Sequence, residues 1–107
     1  GLDADGPAVY DLVMEVTIRT VDGVREPKRD YLLRIMLNGS ARAKTLKLAD
    51  RISNLTALGF VHDTDFVRRY LAETEACILP YAEQVDPNML RELSDLVENR
   101  RRLLPLV

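Results

Sequence analysis

The chain has 107 residues, of which 47% are apolar and 30% charged, and its formal net charge is −2 at pH 7. That length suits one domain over 1–107 with a single modest core, and the composition is that of a soluble globular protein rather than a disordered one. Interspersed charges of both signs argue against general binding to nucleic acid or to an anionic membrane surface, and no apolar run approaches the roughly 18 residues a membrane span needs.

The start GLDADGPAVY has neither the charged nor the apolar region of a signal peptide, so the expected compartment is the cytoplasm. Cys77 is the one cysteine, which leaves no intrachain disulfide and no cysteine-based zinc site; core packing is its expected role.

Leucine-rich segments with few aromatics favour helices, and the chain reads as all-α, a bundle of about five helices with no internal repeat. Val9, Leu12, Val13 and Val16 recur at helical spacing after Pro7, while the β-branched run in VTIRTV leaves the end of that segment open between helix and strand. TVDGVREP, with Gly23 and Pro27, predicts a loop. A helix over KRDYLLRIML follows, with Pro27 suited to its first turn and Asn38 and Gly39 at its end.

Ser40 is the expected cap of a central helix over about 41–58, and Gly59 its left-handed end. Asp63 or Thr64 caps a fourth helix carrying Phe66, Val67, Tyr70, Leu71 and Ile78. Pro80 removes an amide donor and clashes with the preceding turn, which predicts a kink or a short new helix over 79–84. Asp86 as cap and Pro87 at the first position start a last helix running to about residue 102, whose stripe of Leu90, Leu93, Leu96, Val97 and Leu104 must pack on something. Arg100, Arg101 and Arg102 fall in its last turn, where cations favourably oppose the helix dipole.

Within the central helix, TLKLADRISNL places Lys47, Asp50 and Asn54 within roughly 60° of arc. Leu46, Leu48, Ala49, Ile52 and Leu55 occupy other parts of the helix and predict burial on several sides. Asp50 is then expected to be partly withdrawn from water, where a carboxylate needs a counter-charge, hydrogen bonds or a metal. Lys47, Arg51 and Arg68 are the candidate counter-charges.

There is no glycine-rich phosphate loop, HExxH, GxSxG or CxxC. His62, the one histidine, is either a metal ligand with Asp63 and Asp65 in HDTD or a linker residue beside a helix cap. Glu73 and Glu75 are two apart, point to different sides of a helix and are expected in solvent. Tyr70 and Tyr81 are expected to pack their rings and expose their hydroxyls.

LKLADRISNL, residues 46–55, resembles the KLADR-x-x-N signature of HD-domain phosphohydrolases of the RelA/SpoT type, which remove the 3′-pyrophosphate from the alarmone ppGpp. DLVMEVTIRT, RDYLLRIMLNGSARAKTLKLAD and RRYLAETEACILPYAEQV resemble other segments of that family in the same order, the last through an arginine-rich helix, an ET pair and a proline-alanine break; with the signature they fall within roughly residues 9–85. The resemblance implies that Asp50 is the final aspartate ligand of a divalent metal, usually manganese (Mn2+). It also implies that Asn54, one turn later, contacts a phosphorylated nucleotide. Lys47, the signature lysine, joins Asn54 as a nucleotide-binding candidate.

The family's upstream histidine, its His-Asp pair and its Glu-Asp pair have no counterpart before residue 45, and residues 1–61 hold no histidine. Thr56-Ala57 also stands where the family often has Arg-Thr. One metal ligand of about four is too few for a metal hydrolase. Two expectations follow. The chain is the C-terminal half of an HD-type metal-dependent phosphohydrolase acting on pyrophosphorylated guanosine nucleotides, inactive and without metal by itself. Alternatively, it is a small helical binding or oligomerisation module that keeps the signature helix structurally and hides apolar faces by forming a homo-oligomer.

Overall fold

The structure, a computed structural model, describes residues 12–61 and 63–104; Pro7, Val9 and His62 lie outside the described residues. The architecture is all-α apart from one small hairpin. Residues 12–15 are helical, and the chain then forms β1 (Thr20–Val21) and β2 (Val24–Arg25), paired antiparallel with Thr20 opposite Arg25. The expected loop is therefore a hairpin. Asp22 and Gly23 both take positive φ, 52° and 77°, the conformation of the two-residue turn whose twist matches that of its flanking strands.

Pro27 stands at the cap position of α1 (Lys28–Asn38), just ahead of its first turn. The helix stops at Gly39 as expected, but in extended rather than left-handed backbone. Gly39 fits for a different reason: a Cβ there would lie 2.5 Å from the Ile35 carbonyl oxygen, which accepts from the Gly39 amide at 2.8 Å.

The Ser40 hydroxyl accepts from the Ala43 amide at 3.1 Å and starts α2 (Ala41–Ala57). Gly59 does not end it in left-handed backbone. The chain tightens instead into a 3-10 turn, Leu58–Phe60, and a remote side chain takes up the carbonyls that α2 leaves open. Arg100 donates to the Leu55 oxygen from Nε at 2.9 Å and to the Thr56 oxygen from Nη2 at 3.1 Å.

Asp63, the first of the two expected caps, starts α3 (Thr64–Cys77) by accepting from the Phe66 amide at 3.1 Å. The short α4 (Leu79–Ala82) carries Pro80 in its first turn, where a missing donor costs nothing. Asp86 then accepts from the Asn88 and Met89 amides at 2.9 and 3.2 Å and opens α5 (Pro87–Arg102) with Pro87 in the first turn.

Leu32 and Ile35 of α1, Leu48 and Leu55 of α2, Leu71 and Cys77 of α3, Ile78 at the junction of α3 and α4, and Leu93 of α5 are fully buried in one core. The last helix packs chiefly on α2, with Leu93 and Val97 as its buried residues. Among the described residues no helix is long and apolar enough to cross a membrane.

The segment ahead of α1 is fastened by one guanidinium. Arg34 holds the Glu26 carboxylate with Nε at 3.1 Å and Nη2 at 3.0 Å and donates to the carbonyls of Glu15 and Thr17, each at 3.1 Å. The Tyr31 hydroxyl donates to the Val16 oxygen, and the Glu15 carboxylate accepts from the Ser40 amide at 2.8 Å. Donation from Arg34 lowers the pKa of Glu26, and donation from the Ser40 amide lowers that of Glu15.

Candidate functional site

The polar groups singled out on α2 divide between two environments one residue apart. Arg51 is 1% exposed, whereas half of the Asp50 side-chain surface, 51%, meets solvent. The expected withdrawal of Asp50 into the protein is therefore corrected. One side of α2 carries Ala43, Leu48, Arg51 and Leu55 into the core, while Leu46 and Ala49 join Asp50 and Asn54 on the exposed side.

Asp50 has partners on its own helix. The Lys47 ammonium lies 3.7 Å from Asp50 Oδ2, and the Asn54 amide donates to the same oxygen at a long 3.4 Å. Lys47 is the least exposed of the three: its side chain is 12% accessible, and its ammonium sits 4.9 Å from the centre of the Tyr31 ring, a favourable cation–π placement. The stripe read from helical spacing thus exists as a bonded set. Of the candidate counter-charges, Lys47 is the one paired with Asp50, while Arg68 reaches Asp65 at 3.8 Å.

Arg51 crosses to α3. Its Nη2 meets Glu73 Oε1 at 2.5 Å and its Nη1 meets the Thr74 hydroxyl at 3.1 Å. Thr74 in turn donates to the Tyr70 carbonyl at 2.8 Å, so its hydroxyl serves at once as acceptor and donor. The guanidinium carbon lies 4.3 Å from the centre of the Tyr70 ring, and Lys28 of α1 approaches the same ring at 5.5 Å and Glu73 at 3.6 Å. A buried cation is tolerated here because an opposite charge, a hydroxyl and an aromatic face replace its water.

Two expectations change with this geometry. Glu73 is not free in solvent but partly enclosed between Arg51 and Lys28; Glu75 pairs with Arg101. The hydroxyl of Tyr70 is not exposed, since the residue is 8% accessible and its oxygen is buried. Burial pushes the Tyr70 phenol pKa up, against the opposing pull of Arg51 and the neighbouring Asn54 amide; Asp50 and Glu73 add to the rise.

The sequence offers Arg51 as a possible partner of Asp50; the structure makes it the charge joining two helices. A signal for it lay in the spacing. On α2, positions 48, 51 and 55 fall on one face between Leu48 and Leu55, so an arginine there is directed inward.

Neither a family model nor a curated protein matches the sequence.

Asp50 contributes one carboxylate to the face, the Lys47 ammonium lies close to it, and among the described residues no three histidine, cysteine, aspartate or glutamate side chains converge. These residues alone do not fit a divalent metal, which needs several converging donors and is repelled by an ammonium. What the face does provide is a carboxylate, an amide and an ammonium fixed by mutual contact, able to accept from hydroxyls and amines and to donate to oxyanions.

Proposed function

We propose that this chain is the signature-helix part of an HD-type phosphohydrolase domain of the RelA/SpoT kind and that Lys47, Asp50 and Asn54 face a pyrophosphorylated guanosine nucleotide. The observation that carries this reading is the Arg51 junction. The arginine of LADR, in one segment resembling the family, bonds to Glu73 and Thr74, the ET pair of another segment 22 and 23 residues further along. Segments matched separately along a chain belong together in a single fold when their polar side chains complete one another in space.

That junction also explains the division of labour on α2. Arg51 is consumed by the fold, and its neighbours remain available to a ligand. Asn54 presents both donor and acceptor, and Lys47 supplies the positive charge an oxyanion requires. Because these residues alone do not fit a divalent metal, no step of metal-dependent cleavage is assigned to this face.

The test is release of pyrophosphate from guanosine 3′,5′-bis(diphosphate) by the protein as its gene produces it, with manganese supplied. The expected result is turnover that Asp50→Ala abolishes and a nucleotide affinity that Asn54→Ala weakens about tenfold, the effect of one lost hydrogen bond of about 1.4 kcal/mol. Full activity in both variants, or no binding of the nucleotide by the parent protein, overturns the reading.

A second reading, a helical binding or oligomerisation module, draws support from the groove lined by Leu12, Ala41, Arg42, Thr45, Leu46 and Ala49, where Leu46 is 44% exposed. It calls for a defined oligomer that Leu46→Glu dissociates, measured by light scattering, and for no nucleotide binding.

A further inference from the structure

One polar atom in the interior is left over by the contacts described above. The Tyr70 hydroxyl is buried, and apart from a loose approach of the Asn54 amide no donor or acceptor among the described residues meets it in hydrogen-bonding geometry. A buried hydroxyl without a partner is destabilising, and such groups in folded proteins commonly mark a site where a water, ion or ligand completes the set.

Its surroundings point to the kind of ligand. Tyr70 lies on the α3 side of the exposed α2 face. Asn54, the residue beside its hydroxyl, is itself exposed and held to Asp50 only by the 3.4 Å contact. An incoming ligand can therefore replace the weak contact of Asn54 to Asp50 beside the phenol. Two cations, Arg51 and Lys28, stand at the Tyr70 ring, and Lys47 is linked to the same face through Asp50, which is bonded to Asn54; the carboxylates are Asp50 and Glu73. Lys28 has a half-exposed side chain and a loose 3.6 Å ion pair, so it is free to turn toward an incoming charge.

We propose that Tyr70 is a ligand-contact residue whose hydroxyl donates a hydrogen bond to a phosphoryl oxygen of an anion held between Lys28, Lys47 and Asn54. The inference rests on the nucleotide reading above and adds to it the group that receives the phosphate. A phenol kept protonated by burial is a donor throughout the neutral range, and it adds no charge of its own to the site.

The experiment compares the full chain with Tyr70→Phe in calorimetric titrations with inorganic pyrophosphate, guanosine 3′,5′-bis(diphosphate) and guanosine, alongside thermal unfolding of both proteins. The expected result is binding of pyrophosphate and of the nucleotide, each about tenfold weaker in Tyr70→Phe, with an unfolding temperature unchanged or raised because a partnerless hydroxyl has been removed. Unchanged affinity overturns the inference, as does a lowered unfolding temperature with unchanged affinity, which makes the hydroxyl structural. Binding of guanosine as tight as that of the nucleotide, without pyrophosphate binding, also overturns it.

The two readings fail separately. Tyr70-dependent pyrophosphate binding with no gain from the guanosine moiety keeps the inference and removes the guanosine nucleotide. Nucleotide binding indifferent to Tyr70→Phe does the reverse, and absence of binding by either phosphate removes both.

Discussion

Asp50 and Arg51 are neighbours in the chain and opposites in the structure. The aspartate stands half in water with an ammonium at 3.7 Å and an amide at 3.4 Å; the arginine is enclosed, with a carboxylate at 2.5 Å, a hydroxyl at 3.1 Å and a tyrosine ring against its guanidinium. The difference teaches how one helix can desolvate one charge and leave its neighbour to water. A charge that stabilises the fold is desolvated and surrounded by partners from another helix. A charge at the surface stays hydrated, with contacts weak enough to be exchanged.

The contrast is broken most severely by Arg51→Ala. It removes the cation from between Glu73, Thr74 and Tyr70 and leaves Glu73 with Lys28 alone, an expected loss of about 3 kcal/mol. For a domain of this size that is a fall of about 12 °C or more in the unfolding midpoint, read by circular dichroism.

Arg100→Met tests whether the far end of α2 is held by the same kind of long-range arginine. It releases the carbonyls of Leu55 and Thr56, and a loss of about 2 kcal/mol is expected in urea unfolding. A loss under about 0.5 kcal/mol would mean that water serves those carbonyls equally well.

At the opposite end of the helix Ser40→Ala removes a single local cap and costs about 1 kcal/mol, with hydrogen exchange increased at the first turn of α2. The order Arg51, Arg100, Ser40 follows from how much each side chain has given up to water and how many groups it serves.

Much of this fold is written locally. Ser40, Asp63, Asp86, Pro80 and Pro87 each act through a backbone rule that depends only on nearby residues, and the helix starts they mark are where the spacing puts them. Asp-Gly between Val21 and Val24 is also a local signal, for the hairpin rather than a plain loop.

The misplaced features depend on groups far along the chain. Gly59 looked like a left-handed helix end because nothing nearby shows that Arg100, 45 residues beyond Leu55, takes the open carbonyl. Asp50 looked buried because the apolar residues around it were counted without knowing that Leu46 and Ala49 would remain outside. The Lys47, Asp50 and Asn54 cluster was legible because i, i+3 and i+4 neighbours meet on any helix; the unpartnered hydroxyl of Tyr70 was not, since it depends on how α3 lies against α2.

The measurement that bears most directly on the division of α2 is the unfolding free energy of Asp50→Ala beside that of the parent chain. The account predicts a difference within about 0.5 kcal/mol, the range of a surface substitution. A loss as large as that of Arg51→Ala would contradict it and make Asp50 a structural charge.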